Sequence, residues 1–171
     1  GDAGEKKQGS KELVATPIGK RVAQLYIDPL SAHYLILCLR KAMSQNVKPF
    51  SYIFMVCRLN EIKPLLNVTA KELDNVETKL ISEQAFLLED EPSEYEDEYT
   101  DYLKAAKTAA FLEDWTNESD EEYLYNEYNV RLGEIHAKLE NADWLLYSAE
   151  ELAKLLRFQP LIKDISKLRF R

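Results

Sequence analysis

Trp144 is the side chain whose type and placement most invite chemistry. The run from Leu132 to Leu156 reads as one long helix. At about 100° per residue, Ile135, Leu139, Ala142, Leu146, Ala149, Ala153 and Leu156 fall on one apolar stripe, and Trp144 lies about 180° away from it. Ala137, Asn141, Ser148 and Glu151 share its side. A large ring among small and polar residues is either buried by a second layer of helices or held out to meet something else. Both readings fit the periodicity, because a long helix at the centre of a bundle is often packed on two sides.

The other reactive residue types form no constellation. Gly4 and Gly9 have the outer spacing of a phosphate loop, but Ser10-Lys11 follows where the loop needs Lys and then Ser or Thr. Asp120-Glu121-Glu122-Tyr123 has the acids of an Asp-Glu-x-His metal box and lacks its His. Those acids sit at a helix start, where negative charge favours the dipole. His136 has no Cys or Ser at catalytic spacing. Paired carboxylates occur only on solvated helix faces, which is weak ground for acid–base work. Cys38 and Cys57 lie in apolar runs and read as small buried hydrophobes of a reducing compartment. No spacing resembles a zinc site. The chain therefore reads as carrying no catalytic residue, no metal and no cofactor of its own.

The elements that position these residues are helical. The 171 residues are 46% hydrophobic, with only 5 Gly and 6 Pro, so elements are long and turns few. Leu, Ala, Glu and Lys dominate and favour helix. Asp28 with Pro29 opens a helix to about Met43, and Pro49 opens one to about Leu59. Thr69 with Glu72, Ser93 with Glu96, and Ser119 with Glu122 read as capping boxes. The second of these leads a helix to about Trp115, with Tyr95, Tyr99, Tyr102, Ala106 and Ala109 on one face. The long helix follows, and Pro160 opens a short last one. The expectation is an all-α, seven-helix bundle with a long central helix. Thr16, Pro17 and Gly19 suit an extended or β segment with a turn ahead of it. Residues 1–12 read as linker, 13–27 as the extended segment, 28–159 as the bundle and 160–171 as a basic trailing segment.

Charge narrows the function. The formal net charge of -8 opposes a free-standing nucleic-acid binder, which usually has a basic footprint. The distribution is uneven, however. Glu89 to Asp101 holds eight acids and no base, whereas Lys154 to Arg171 holds six bases and one acid, Asp164. The field near Arg157 and the last helix can therefore be positive on an acidic protein. No run of about 18 apolar residues and no signal peptide is present, so a cytoplasmic protein with no membrane contact is expected.

Three segments resemble one family. Residues 15–32, Ala-Thr-Pro-Ile-Gly-Lys-Arg-Val-Ala-Gln-Leu-Tyr-Ile-Asp-Pro-Leu-Ser-Ala, are similar to the end of the winged-helix domain in archaeal superfamily-two DNA helicases of the Hjm/HelQ type. Residues 107–118, Lys-Thr-Ala-Ala-Phe-Leu-Glu-Asp-Trp-Thr-Asn-Glu, resemble the next signature, and Glu140-Asn-Ala-Asp-Trp-Leu-Leu-Tyr147 resembles the third. Order and spacing agree as well. The resemblance implies that 13–27 end a winged helix, 28–159 form a ratchet bundle, and 160–171 lead into a helix-hairpin-helix domain. It implies ATP and magnesium on two RecA-like motor domains of a parent chain, which are partners of the bundle. Single-stranded or branched DNA threads between motors and bundle, and a monomeric fragment is expected. In the family a ratchet helix presents an Arg and a Trp, seven residues apart, to the bases. Trp144 matches the Trp, while the Arg position falls on Ala137, flanked by His136 and Lys138.

On this resemblance Trp144 stacks on bases, with Asn141, Lys138, His136, Ser148 and Arg157 as further DNA contacts. Stacking suits a 3′-to-5′ translocase in repair or at stalled forks, because every base has a face to stack on. Trp115 reads as core beside Phe111 and Leu112. The competing reading is a protein-interaction bundle of a helicase-related protein, which the acidic run and net charge favour.

Overall fold

The computed structural model describes residues 16–117 and 120–170. The readings placed on Gly1–Lys11 (the Gly4–Lys11 phosphate-loop spacing among them), on residues 12–15, on Ser119 and on Arg171 lie outside these. The described residues form eight α-helices and no strand: α1 Pro17–Leu25, α2 Pro29–Ala42, α3 Pro49–Cys57, α4 Leu73–Glu83, α5 Glu98–Thr116, α6 Glu121–Tyr128, α7 Leu132–Leu155 and α8 Gln159–Leu168. The fold is an all-α bundle. Among the described residues, no single helix is long and apolar enough to cross a membrane.

The helix that the sequence reading did not foresee is α1. The expected extended segment is helical from Pro17 to Leu25. Thr-Pro-x-Gly suits a turn, but the same residues make a helix start. Thr16 Oγ1 accepts the Gly19 N–H at 3.0 Å, and Pro17 takes the first helical position, where its missing donor costs nothing. Tyr26, in the left-handed region at φ 58°, ends it. Asp28 then caps α2, its Oδ1 accepting the Leu30 N–H at 2.7 Å. The Ser93 box does not open α5. Ser93 Oγ instead accepts the Tyr95 N–H in a local turn, and the helix begins at Glu98. Asp120 caps α6, accepting the Tyr123 N–H at 2.7 Å.

The core explains why α7 lies at the centre. Every residue of α3 from Phe50 to Cys57 is buried, as befits a helix that is apolar all round. Ala105, Ala106 and Ala109 let α5 come close to it, and Tyr102 meets Phe54 edge-on with ring centroids 5.1 Å apart. α7 packs on α1, α2, α3, α8 and the short turn at Asn60–Ile62. α8 sends Leu161 and Ile165 into the same core, so 159–168 packs as part of the bundle rather than standing apart. Cys38 and Cys57 are buried free thiols, and burial pushes Cys38 up to about 12, far from a reactive thiolate.

Candidate functional site

The candidate site is the stripe of α7 opposite its apolar face. Ile135, Ala142, Leu146, Ala149 and Ala153 are buried, with Leu139 and Leu156 partly so, as the apolar period requires. Lys138, Leu145, Ser148, Glu150 and Leu152 are buried too, so more than half of the helix circumference is packed. What stays open begins at the N-terminal end. Gly133, Glu134, His136, Ala137 and Glu140 are exposed, and a Cβ added at Gly133 would meet nothing within 4 Å. Trp144 stands where this open strip ends. Its ring is partly buried against the core, and its Nε1–H donates to the Leu25 carbonyl at the end of α1 at 3.0 Å.

Beyond Trp144 the stripe is roofed by α1. Arg21 Nη2 donates to Tyr147 Oη at 2.9 Å and lies 3.1 Å from Glu151 Oε2. The Glu151 carboxyl is partly buried, which alone would raise its pKa, but its bonds to Lys154 and Arg21 outweigh that and hold it below the ordinary value. From the other side Arg169 grips Asp143 with two bonds of 2.9 Å. A second layer therefore covers part of Trp144, which stands partly buried at the end of the open strip.

The six residues expected to meet DNA are not brought to one surface. His136 is exposed and Asn141 partly buried on the open half, beside Trp144 in sequence order along the strip. Arg157 is exposed just past the end of α7, in the left-handed region at φ 61°. Two expectations need correcting. Lys138 is 7% exposed, and its ammonium donates to the carbonyls of Ile62 (2.6 Å) and Pro64. Burial lowers its pKa, and both bonds tie α7 to the 60–64 turn, so the ammonium points into the fold rather than to the open face. Its helical angle, about 60° from the centre of the apolar stripe, was the signal for this. Ser148 is fully buried and donates to the Trp144 carbonyl at 2.9 Å. That bond within the helix satisfies the hydroxyl and lets it lie under α1.

The basic C-terminal run is thinner than its composition. Arg169 is spent on Asp143, and Lys154 on Glu151 at 3.1 Å, while Arg157, Lys163 and Lys167 face solvent. Trp115 is partly buried and lines a groove with Leu139, Leu168 and Phe170, so it is less enclosed than a core reading requires. The residues that sequence reasoning passed over are Arg21, Tyr147 and Arg169. Their partners are distant in the chain, and only the fold pairs them.

Residues 50–171, from the first turn of α3 to the end, match the family model described as archaeal helicase, domain 4. The chain belongs to this family. An archaeal helicase domain 4 is thus an all-α bundle here, with α7 as its axis. Relatives agree. The ATP-dependent DNA helicase Hel308 of Methanocaldococcus jannaschii is 36% identical over 147 residues, covering 85% of this chain and 11% of that protein. The Hel308 of Pyrococcus horikoshii is 34% identical over 161 residues, covering 94% of this chain and 22% of that protein. That of Caldivirga maquilingensis is 30% identical over 171 residues, covering 96% and 22%. The alignments that cover 94% and 96% of the chain take in α1 and α2 as well as the matched domain. The chain spans about a tenth to a fifth of the length of these relatives.

Proposed function

We propose that this archaeal helicase bundle grips single-stranded DNA for an ATP-dependent 3′-to-5′ helicase that works in the cytoplasm on branched DNA, in repair or at stalled forks. The observation that carries the reading is Trp144, partly exposed at the end of an open strip on the central helix. An aromatic ring stacks on any base, with about 1–3 kcal/mol per base and no sequence preference, as a translocase needs. The N–H bond to Leu25 fixes one edge of the indole, so little ring freedom is lost on stacking. Ala137, Asn141 and His136 floor the strip beside it. Ala137 is small where the family has Arg, so grip here rests on stacking more than on charge. Arg157 offers a phosphate contact at the far end. The bundle holds and directs the strand, while ATP and magnesium act on the RecA-like motors of the parent chain.

The test is the parent helicase carrying Trp144→Ala, with ATP hydrolysis and fork unwinding measured together. Hydrolysis persists and unwinding falls if Trp144 couples the two. Unwinding equal to the unsubstituted enzyme overturns the reading. A second reading, protein docking, draws on a different surface. Glu91, Glu94, Glu96, Asp97 and Glu98 stand exposed around Tyr95, itself 90% exposed. Unchanged unwinding in Trp144→Ala, together with loss of a protein partner on neutralising these acids, would favour it.

A further inference from the structure

Trp144 is bracketed on its own helix by two gripped residues, and the grips come from opposite ends of the described chain. Asp143 precedes it and holds Arg169, whose Nε and Nη2 reach the two carboxylate oxygens at 2.9 Å each and whose Nη1 lies 3.5 Å from Glu150 Oε2. Tyr147 follows one turn later and holds Arg21 through its hydroxyl. The two guanidinium groups share the Tyr147 ring, with their carbons 5.9 Å (Arg21) and 4.9 Å (Arg169) from its centroid. Arg21 sits one turn before Leu25 on α1, and Leu25 supplies the carbonyl that Trp144 bonds.

We infer that Arg21 and Arg169, meeting on Tyr147, lock α1 onto α7 and thereby, through the Leu25 carbonyl, fix the orientation of the Trp144 ring. The inference rests on the reading of Trp144 as the base-stacking residue. α1 carries both the acceptor for the indole N–H and the arginine on Tyr147, so any movement of α1 shifts both together. The segment after α8 reaches the same ring through Arg169. Displacement of the polypeptide on either flank of the bundle is thereby delivered to the Arg21–Tyr147–Arg169 cluster and, through α1, to the Leu25 bond. A bidentate fork suits this task, because it fixes direction as well as distance, which a lysine cannot do. The side chains of Arg169 and Asp143 are 17% and 24% exposed, so solvent does not dissipate the contact as it does for a surface pair. Arg21, Tyr147 and Arg169 are positioning residues; none is needed to touch DNA.

The experiment uses this chain with Trp115→Phe, which leaves Trp144 as its only tryptophan, and needs no nucleic acid. Emission wavelength and iodide quenching of Trp144 are read in Arg169→Ala, Arg169→Lys, Asp143→Asn and Tyr147→Phe, with far-ultraviolet circular dichroism as the check on folding. The expected result is a red shift and increased quenching in all four, with helicity retained. Arg169→Lys fails to rescue because a point charge cannot replace the fork. If Arg169→Ala unfolds, Asp143→Asn breaks the same fork with a smaller change and decides the matter. Unchanged Trp144 emission in folded Arg169→Ala or Asp143→Asn overturns the inference. Rescue by Arg169→Lys also overturns it, reducing the contact to simple charge. Quenching of the unsubstituted ring by oligothymidylate is measured separately in the parent helicase. Its absence counts against DNA stacking, whereas the iodide quenching decides whether the Arg21–Tyr147–Arg169 cluster sets the ring.

Discussion

From Trp144 to Glu151 the outer face of α7 lies under α1, whereas from Gly133 to Glu140 it lies open among the described residues. Both halves are written in the same small and polar residues. On the roofed half those residues exist to be covered. Ser148 turns its hydroxyl into its own helix, and Tyr147 and Glu151 take Arg21. On the open half Gly133, Ala137 and Glu140 leave a floor that a flat ligand can approach. Helical period alone cannot separate a roofed polar stripe from a bare one, because α1 is more than a hundred residues away in the chain. Trp144 stands between the two halves, partly buried, with its N–H bonded to Leu25 of α1.

The sharpest way to break this comparison is at Lys138. If its ammonium served the open face, Lys138→Ala would change stability by no more than about 0.5 kcal/mol. With the carbonyls of Ile62 and Pro64 left without their donor, the expected loss is about 1–3 kcal/mol, read from denaturant melts. Trp144 should fall next. Trp144→Ala removes a partly buried ring and the bond to Leu25, and about 1–3 kcal/mol is expected, below the about 3–5 kcal/mol of a fully enclosed Trp. Trp144→Phe keeps most of the ring and should cost about 0.5–1.5 kcal/mol for the bond alone. A melt of Trp144→Ala within about 0.5 kcal/mol of the unsubstituted chain would mean that the roof does not hold the indole. The smallest change in stability belongs to the open half. Ala137→Arg should stay within about 0.5 kcal/mol in melts. It places a cation seven residues before Trp144 on the same side, so single-strand binding should tighten and its salt dependence should steepen.

Much of this was legible in the chain. The caps at Asp28-Pro29 and Pro49 and the unbroken period of α7, with Trp144 opposite its apolar stripe, are local signals, and local signals survive folding. α1 was not legible, because Thr16-Pro17-Ile18-Gly19 fits a turn and a capped helix equally well and only packing on α7 selects the helix. Lys138 and Ser148 were misplaced for different reasons. The lysine lies on the flank of the apolar stripe and reaches carbonyls of a distant turn, while the serine is satisfied within its own helix. The grip on Tyr147 joins residues 126 positions apart, a pairing that no pattern along the chain encodes.

Contact between Trp144 and a base is the central claim, and photo-cross-linking reads it directly. The parent helicase is loaded on a single strand carrying 5-iodouracil, irradiated, digested and mapped by mass spectrometry. The account predicts an adduct on the peptide containing Trp144, lost in Trp144→Ala while the strand remains bound. Adducts that fall elsewhere in the protein, with none between Leu132 and Leu155, would contradict it.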